Sequence, residues 1–165
     1  MPDIIQKELK KLFKDHSVIE IPYLQKFFHG RSERSLSRDL KEADSISSYS
    51  HAGRFHTLRK IPRFDSRGLW LFNDVGFSRY GTLGATIEHW VNHSAAGHTY
   101  SELKEWLALR IENVLLDLTE KKRIRRAGEA REYVYYSMEE VSAARQRKHR
   151  EELNRQQQVA CPICD

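Results

Sequence analysis

Gly30-Arg31-Ser32-Glu33-Arg34-Ser35-Leu36-Ser37-Arg38-Asp39-Leu40-Lys41-Glu42 reads as a short helix with its entry and inner face marked in the residues themselves. Ser32 can cap the first free amides, and Leu36 and Leu40 fall one turn apart on a single face. The helix is expected from Glu33 to about Ala43. Gly30 ahead of it suits a left-handed turn closing a preceding helix that carries Leu24, Phe27 and Phe28, with Pro22 in its first turn. Upstream, Ile5, Leu9, Leu12 and Phe13 recur at helical spacing before Ser17 breaks the run. Downstream, Ile46 to Tyr49 and Phe55 to Leu58 alternate as short strands around His51-Ala52-Gly53, the signature of a hairpin.

The same order of signals returns later in the chain. Asn113-Val114-Leu115-Leu116-Asp117-Leu118-Thr119-Glu120 overlays Ser35 to Glu42 at an offset of 78 residues, with Asp39 on Asp117. That offset pairs Leu9 with Ile87, Leu12 with Trp90, Phe13 with Val91, Leu36 with Val114, Phe55 with Tyr133 and Thr57 with Tyr135. One extra residue near Gly30 is needed to bring Leu24, Phe27 and Phe28 onto Leu103, Trp106 and Leu107. In the second copy Thr82 caps the first helix, and Thr99-Tyr100-Ser101-Glu102 has the form of a capping box. The third helix is expected over about Ile111 to Lys121. The hairpin is expected from Ile124 to Ala127 and Glu132 to Tyr136, turning at Gly128-Glu129.

Three helices followed by a hairpin is the winged helix-turn-helix plan, in which the third helix enters the major groove of DNA and the hairpin lies along the backbone. The expected fold is therefore α+β and mainly helical, with tandem winged helix-turn-helix units and a polar C-terminal helix. The expected divisions are 1–61 and 82–137 for the two units, 62–81 as a connecting strand or loop, 138–159 as the polar helix and 160–165 as a tail. Within the connection, Leu69-Trp70-Leu71-Phe72 is expected to join the first hairpin as a strand or to pack the units together. Ser137-Met138-Glu139-Glu140 has capping-box form and opens the last helix, which reads as a solvated connector.

The segment Gly30 to Glu42 resembles the DNA-reading element of DeoR-type bacterial repressors, an S-x-R-T-hydrophobic-x-R-D-L pattern, with Ser35 where Thr is common. The resemblance implies that Ser32, Arg34, Ser35 and Arg38 face DNA while Leu36 and Leu40 hold the helix down. Nothing downstream resembles the sugar-phosphate-binding domain of those repressors, so no small-molecule effector is expected.

From the residues, Arg31 joins that set, and Arg110 and Asn113 are the counterparts offered by the second third helix. Leu115 and Leu116 stand beside the inward pair Val114 and Leu118, and four aliphatics cannot all be buried on one narrow face. The second hairpin is the most basic stretch, with Lys121, Lys122, Arg123, Arg125, Arg126 and Arg131. The first hairpin and its exit add Arg54, Arg59, Lys60, Arg63 and Arg67. Such hairpins suit phosphate contacts, which position a protein without reading sequence. The expected division of labour is base reading by the first unit and backbone grip by both hairpins.

Other signals carry less. His89 and His93 lie one helical turn apart, but Trp90 stands where a zinc protease helix would need Glu. Gly76, Gly81 and Gly84 lack the Lys-Ser/Thr of a phosphate loop and read as turn residues. No nucleophile has a base at an interpretable spacing, so no enzyme activity is expected. Cys161-Pro162-Ile163-Cys164 has the form of a zinc knuckle with two of the four ligands a structural zinc site takes. Three readings stand open there: pairing with a second chain's tail as a homodimer, further ligands in a longer protein, or idle thiols.

The bulk numbers agree. The 165 residues carry 28 Lys and Arg against 23 Asp and Glu, a net charge of +5, which favours a polyanionic partner. Hydrophobic residues at 39% and aromatics at 10% supply a core and exclude wholesale disorder. No signal peptide or membrane-length apolar run is visible, and both cysteines lie at the end, so a reducing cytoplasm and association with the nucleoid are expected. The expected function is sequence-specific binding of double-stranded DNA in transcription regulation or mobile-element biology. Two rivals remain: the DNA-binding part of a larger transposase or replication initiator, and a winged-helix protein-interaction scaffold.

Overall fold

The computed structural model describes residues 2–128 and 132–160. They form an α+β chain, about half helical, with seven α-helices and three small antiparallel sheets among the described residues. The chain makes two compact units that divide between Thr86 and Ile87. Among these residues no helix is long and apolar enough to cross a membrane.

In the first unit α1 (Pro2–Asp15) leads into β1 (Ile19–Glu20), α2 (Ile21–Phe27), α3 (Glu33–Glu42), β2 (Ser45–Ser47) and β3 (Phe55–Leu58). The strand order is β1-β3-β2, so β3 is central. The two-residue β1 escaped the sequence reading because Ile19-Glu20 is too short to show alternation. Its register is clear in three dimensions, with Ile19 opposite His56. Helix α2 ends at Phe27, three residues before Gly30, and Phe27 is exposed.

Strand side chains alternate between faces, and here both faces are used. Ile19 and Leu58 join Leu9, Leu12, Phe13, Leu24, Leu36 and Leu40 in the helical core. Ile46 and Phe55 point the other way, into a cluster with Val75, Phe77 and Trp70. That second cluster belongs to a separate hairpin, β4 (Leu69–Phe72) paired with β5 (Val75–Ser78). The apolar run at 69–72 is thus a strand, but it pairs with β5 and does not extend the first sheet. Gly76, expected as a turn residue, lies in β5. A Cβ there would stand 2.3 Å from Cζ of Tyr49, so only glycine leaves room for that ring. The close approach is fixed by Tyr49 N–H donating to Gly76 O and Gly76 N–H donating to Ser50 Oγ.

The tip between β2 and β3 is one tight 3-10 turn, His51–Gly53, with φ of 53° at His51 and 52° at Ala52. Left-handed backbone costs an L-residue roughly 1–2 kcal/mol. Ala52→Gly is therefore expected to raise stability by about 0.5–1 kcal/mol after the added freedom of its unfolded chain, read as a higher urea midpoint at unchanged slope.

The order repeats from α4 (Leu83–His93), whose first turn belongs to the first unit and the rest to the second, through β6 (His98–Thr99), α5 (Tyr100–Leu107), α6 (Glu112–Glu120), β7 (Ile124–Ala127) and β8 (Val134–Ser137). The sheet order of the second unit, β6-β8-β7, matches that of the first. Both N-terminal signals hold: Thr82 Oγ1 accepts from Ala85 N–H, and Thr99 with Glu102 completes the capping box. The offset needs correction. It is 78 residues for the first helices, but 79 everywhere from β1 onward, since Ile19 opposite His56 corresponds to His98 opposite Tyr135. The extra residue sits in the connection after the first helix, 94–97 against 16–18, and not near Gly30. Leu36 therefore corresponds to Leu115, Phe55 to Val134 and Thr57 to Tyr136. The buried residues on α6 are Leu115 and Leu118, with Val114 only half-buried. Two adjacent aliphatics at 114 and 115 let the sequences slide by one without a visible mismatch.

The last helix, α7 (Glu140–Val159), is no free connector along its first half. Ala143, Gln146 and Arg150 are buried. Gln146 accepts from Ser137 N–H and donates to Val91 O, so one amide ties β8, α7 and the end of α4 together. Residues 151–160 are exposed, as expected of a polar helix. Its start is also not a capping box: Glu139 N–H donates to Ser137 Oγ, and the N-cap Glu139 makes no side-chain cap bond.

Candidate nucleic-acid interface

Helix α3 is held from inside and free outside. Leu36 and Leu40 are buried, and Ser32 Oγ accepts from Ser35 N–H at 3.2 Å while lying 3.0 Å from Ser35 Oγ. Arg31 and Asp39 form an ion pair across the helix, with the Asp39 side chain only 12% exposed. Gln6 Nε2 donates to Asp39 O, adding a tie from α1. Arg31 thus positions the helix, although the sequence placed it among the residues facing DNA; the Asp of the R-D-L pattern is its partner. That pair spans eight residues through a turn, and no local periodicity announces it.

The opposite face of α3 carries Arg34, Arg38 and Lys41, all exposed and one helical turn apart. Among the described residues none of the three meets a carboxylate. Lys41 was not singled out from sequence, though its spacing from Arg34 and Arg38 is the signal that could have found it. Ser32 and Ser35 sit at the start of this stripe, and their hydroxyls are already engaged with each other.

The register gives the second unit's version of this stripe. Arg34, Arg38 and Lys41 correspond to Asn113, Asp117 and Glu120, and Ser37 to Leu116. The outer face of α6 is therefore acidic around an exposed Leu116. Tyr100 donates a hydrogen bond to Glu112, which with nearby backbone and Lys104 holds that carboxyl below the usual range. Arg110 and Asn113 are exposed, but they stand beside these carboxylates.

Several cations expected to grip phosphates are already paired. Arg54 bonds Glu20 at 3.2 Å, Arg59 bonds Asp44 at 3.1 Å, and Lys121 bonds Asp117 at 2.9 Å. Arg123 bonds Glu88 at 3.3 Å. Arg125 joins β7 to the start of α7 through Glu140 and Met138 O. Arg126 lies over the Tyr133 ring, 4.2 Å from its centroid, and remains exposed, as does Lys122. Arg131, Cys161 and Cys164 lie outside the described residues. Exposed ion pairs are worth little, so Arg54 and Arg123 are lightly held, while Arg125 serves the fold.

His89 and His93 stack with ring centroids 4.0 Å apart, and His93 Nδ1 donates to His89 O. Burial and the neighbouring His93 both push the His89 pKa down. Among the described residues no three His, Cys, Asp or Glu side chains converge as a metal site.

A scan against protein-family models finds no match, and a search of curated proteins finds no significant relative.

Proposed function

We propose that this protein binds double-stranded DNA in a sequence-specific way, as a transcription regulator or a mobile-element DNA binder built from tandem winged helix-turn-helix units. The observation that carries this reading is the α3 stripe: Arg34, Arg38 and Lys41 exposed, with no carboxylate partner among the described residues, on a helix anchored by Leu36, Leu40 and the Arg31–Asp39 pair. Arginine in the major groove binds guanine through two parallel hydrogen bonds, a contact a rigid helix can aim. The repeated strand order, with a hairpin following each third helix, supports the winged-helix reading of both units.

Specific reading falls to the first unit. Asp117 and Glu120 would meet the phosphates with the wrong sign, and this favours a protein-contact role for α6. Duplex DNA in rising salt tests the function directly. Affinity should fall linearly on a log–log scale, as phosphate contacts release counterions. Absence of binding at low salt would reject DNA as the ligand and leave the scaffold reading.

A further inference from the structure

The second unit holds a polar cleft well away in sequence from its acidic helix. It lies between the end of α4 with the following turn and one face of α7, with a volume of about 410 Å³. Asn92, His93, Ser94, Ser142, Arg145 and His149 contribute to its wall, and among the described residues no carboxylate does. The Ser94, Ser142 and Gln146 donors on that wall are spent on Val91 O, Glu139 and the Val91 and Ser94 oxygens, and Asn92 and Arg145 make no such bond among the described residues. Asn92 and His93 also line a neighbouring cleft with Lys122 and Arg123, so polar groups continue from the start of β7 to the middle of α7. The carboxylates nearby belong to that second cleft: Glu88 is paired with Arg123, and Glu139 accepts a hydrogen bond from Ser142.

The chemistry of the first cleft selects for an anion. His93 and His149 each use Nδ1 on a backbone carbonyl, of His89 and Ala95, at 2.9 and 3.1 Å. A neutral ring so held offers only a lone pair at Nε2, and each ring donates Nε2–H to an anion when it is protonated. Arg145 is exposed and meets no carboxylate among the described residues. A divalent cation would face this guanidinium with no carboxylate of the described residues on the wall to compensate it, and an apolar ligand would leave the guanidinium without a partner. A phosphate oxygen matches a guanidinium fork beside amide and imidazole groups.

We propose that this cleft is a phosphate site, occupied by a phosphodiester of the DNA backbone. It rests on the DNA-binding reading and adds to it: the second unit grips the backbone through α4 and α7, where its acidic α6 cannot. In the wild type, unlabelled inorganic pyrophosphate serves as the probe for a free phosphate ligand, and a labelled duplex of random sequence as the probe for DNA.

Arg145→Gln, alone and with His149→Gln, should weaken duplex binding roughly three- to tenfold at about 0.1 M salt. The salt slope should become shallower by about one unit, and the preferred base sequence should stay as in the wild type. Arg145 is exposed, so the thermal midpoint of Arg145→Gln should not move, which separates loss of contact from loss of fold. If both variants bind duplex DNA with wild-type affinity and slope, the proposal is overturned while DNA binding itself stands. If Arg145→Gln removes pyrophosphate binding alone and leaves the duplex affinity intact, the ligand is a free phosphate compound and the DNA assignment is overturned. If the wild type binds no duplex at all, the failure lies with the proposed function.

Discussion

Replacing Arg34 and Arg38 by alanine should lower affinity for a selected DNA site at least thirtyfold while leaving stability unchanged. Each guanidinium that reads a guanine is worth about 1–3 kcal/mol of discrimination, so two together give ~2–6 kcal/mol, and each ~1.4 kcal/mol is tenfold in affinity. Neither side chain has an ion pair to lose among the described residues, and both are exposed, so unfolding free energy should stay within about 0.5 kcal/mol. Binding to random duplex should fall far less, since that term comes from phosphates. Affinities for specific and random DNA, measured side by side for wild type and Arg34→Ala/Arg38→Ala, test this. A double variant still preferring the site by the wild-type ratio would show that α3 does not read it.

The second large effect concerns folding. Arg150 is 8% exposed and donates to Ala96 O, Gly97 O and both oxygens of Glu102, the last at 3.0 and 3.1 Å. Glu102 is also the acid of the α5 capping box, accepting from Thr99 N–H. One guanidinium thus joins α7 to the turn after α4 and to the start of α5. Removing one partner of a buried pair costs ~3–5 kcal/mol, and the Glu102 side chain is 37% exposed, so the lower end applies. Arg150→Met should destabilise the chain by about 3 kcal/mol in urea unfolding; a loss below ~1 kcal/mol would mean that the pair is incidental.

The same pair sets an acid limb. Burial pushes the Glu102 pKa up, but hydrogen bonds from Arg150 and Thr99 and the charges of Arg150 and His98 outweigh it, leaving the carboxyl below its ordinary value. A lowered folded pKa contributes stability above the unfolded value, and that stability is lost as pH falls through the folded one. Wild-type stability should therefore decline as pH falls below about 4.5, with a shallower decline in Arg150→Met.

The helices were legible in sequence because each carries both a period and a cap. Ser32, Thr82 and Thr99 all cap as their positions suggested. What stayed hidden was set by partners distant in the chain. Ile19-Glu20 and His98-Thr99 are strands only because β3 and β8 lie beside them. Val75-Gly76-Phe77-Ser78 looked like a glycine turn because the ring of Tyr49, which makes Gly76 necessary, lies far upstream. Helix α7 looked solvated because it docks through Gln146 and Arg150, polar residues with no hydrophobic signature.

At the candidate interface the stripe of α3 was readable, since Arg34 and Arg38 recur at helical spacing. Its contrast with α6 was not. The one-residue slip set Asp117 against Asp39, a buried partner, when its true counterpart is Arg38. Only the strand register exposes the reversal of charge between the two helices.

Selection of bound sites from a pool of random duplex DNA, using the wild-type chain, tests the central claim most directly. Enrichment of one short motif containing guanines is expected, as two arginines on a fixed helix require. Retention of duplexes with no enriched motif would contradict sequence reading by α3, even where binding itself is strong.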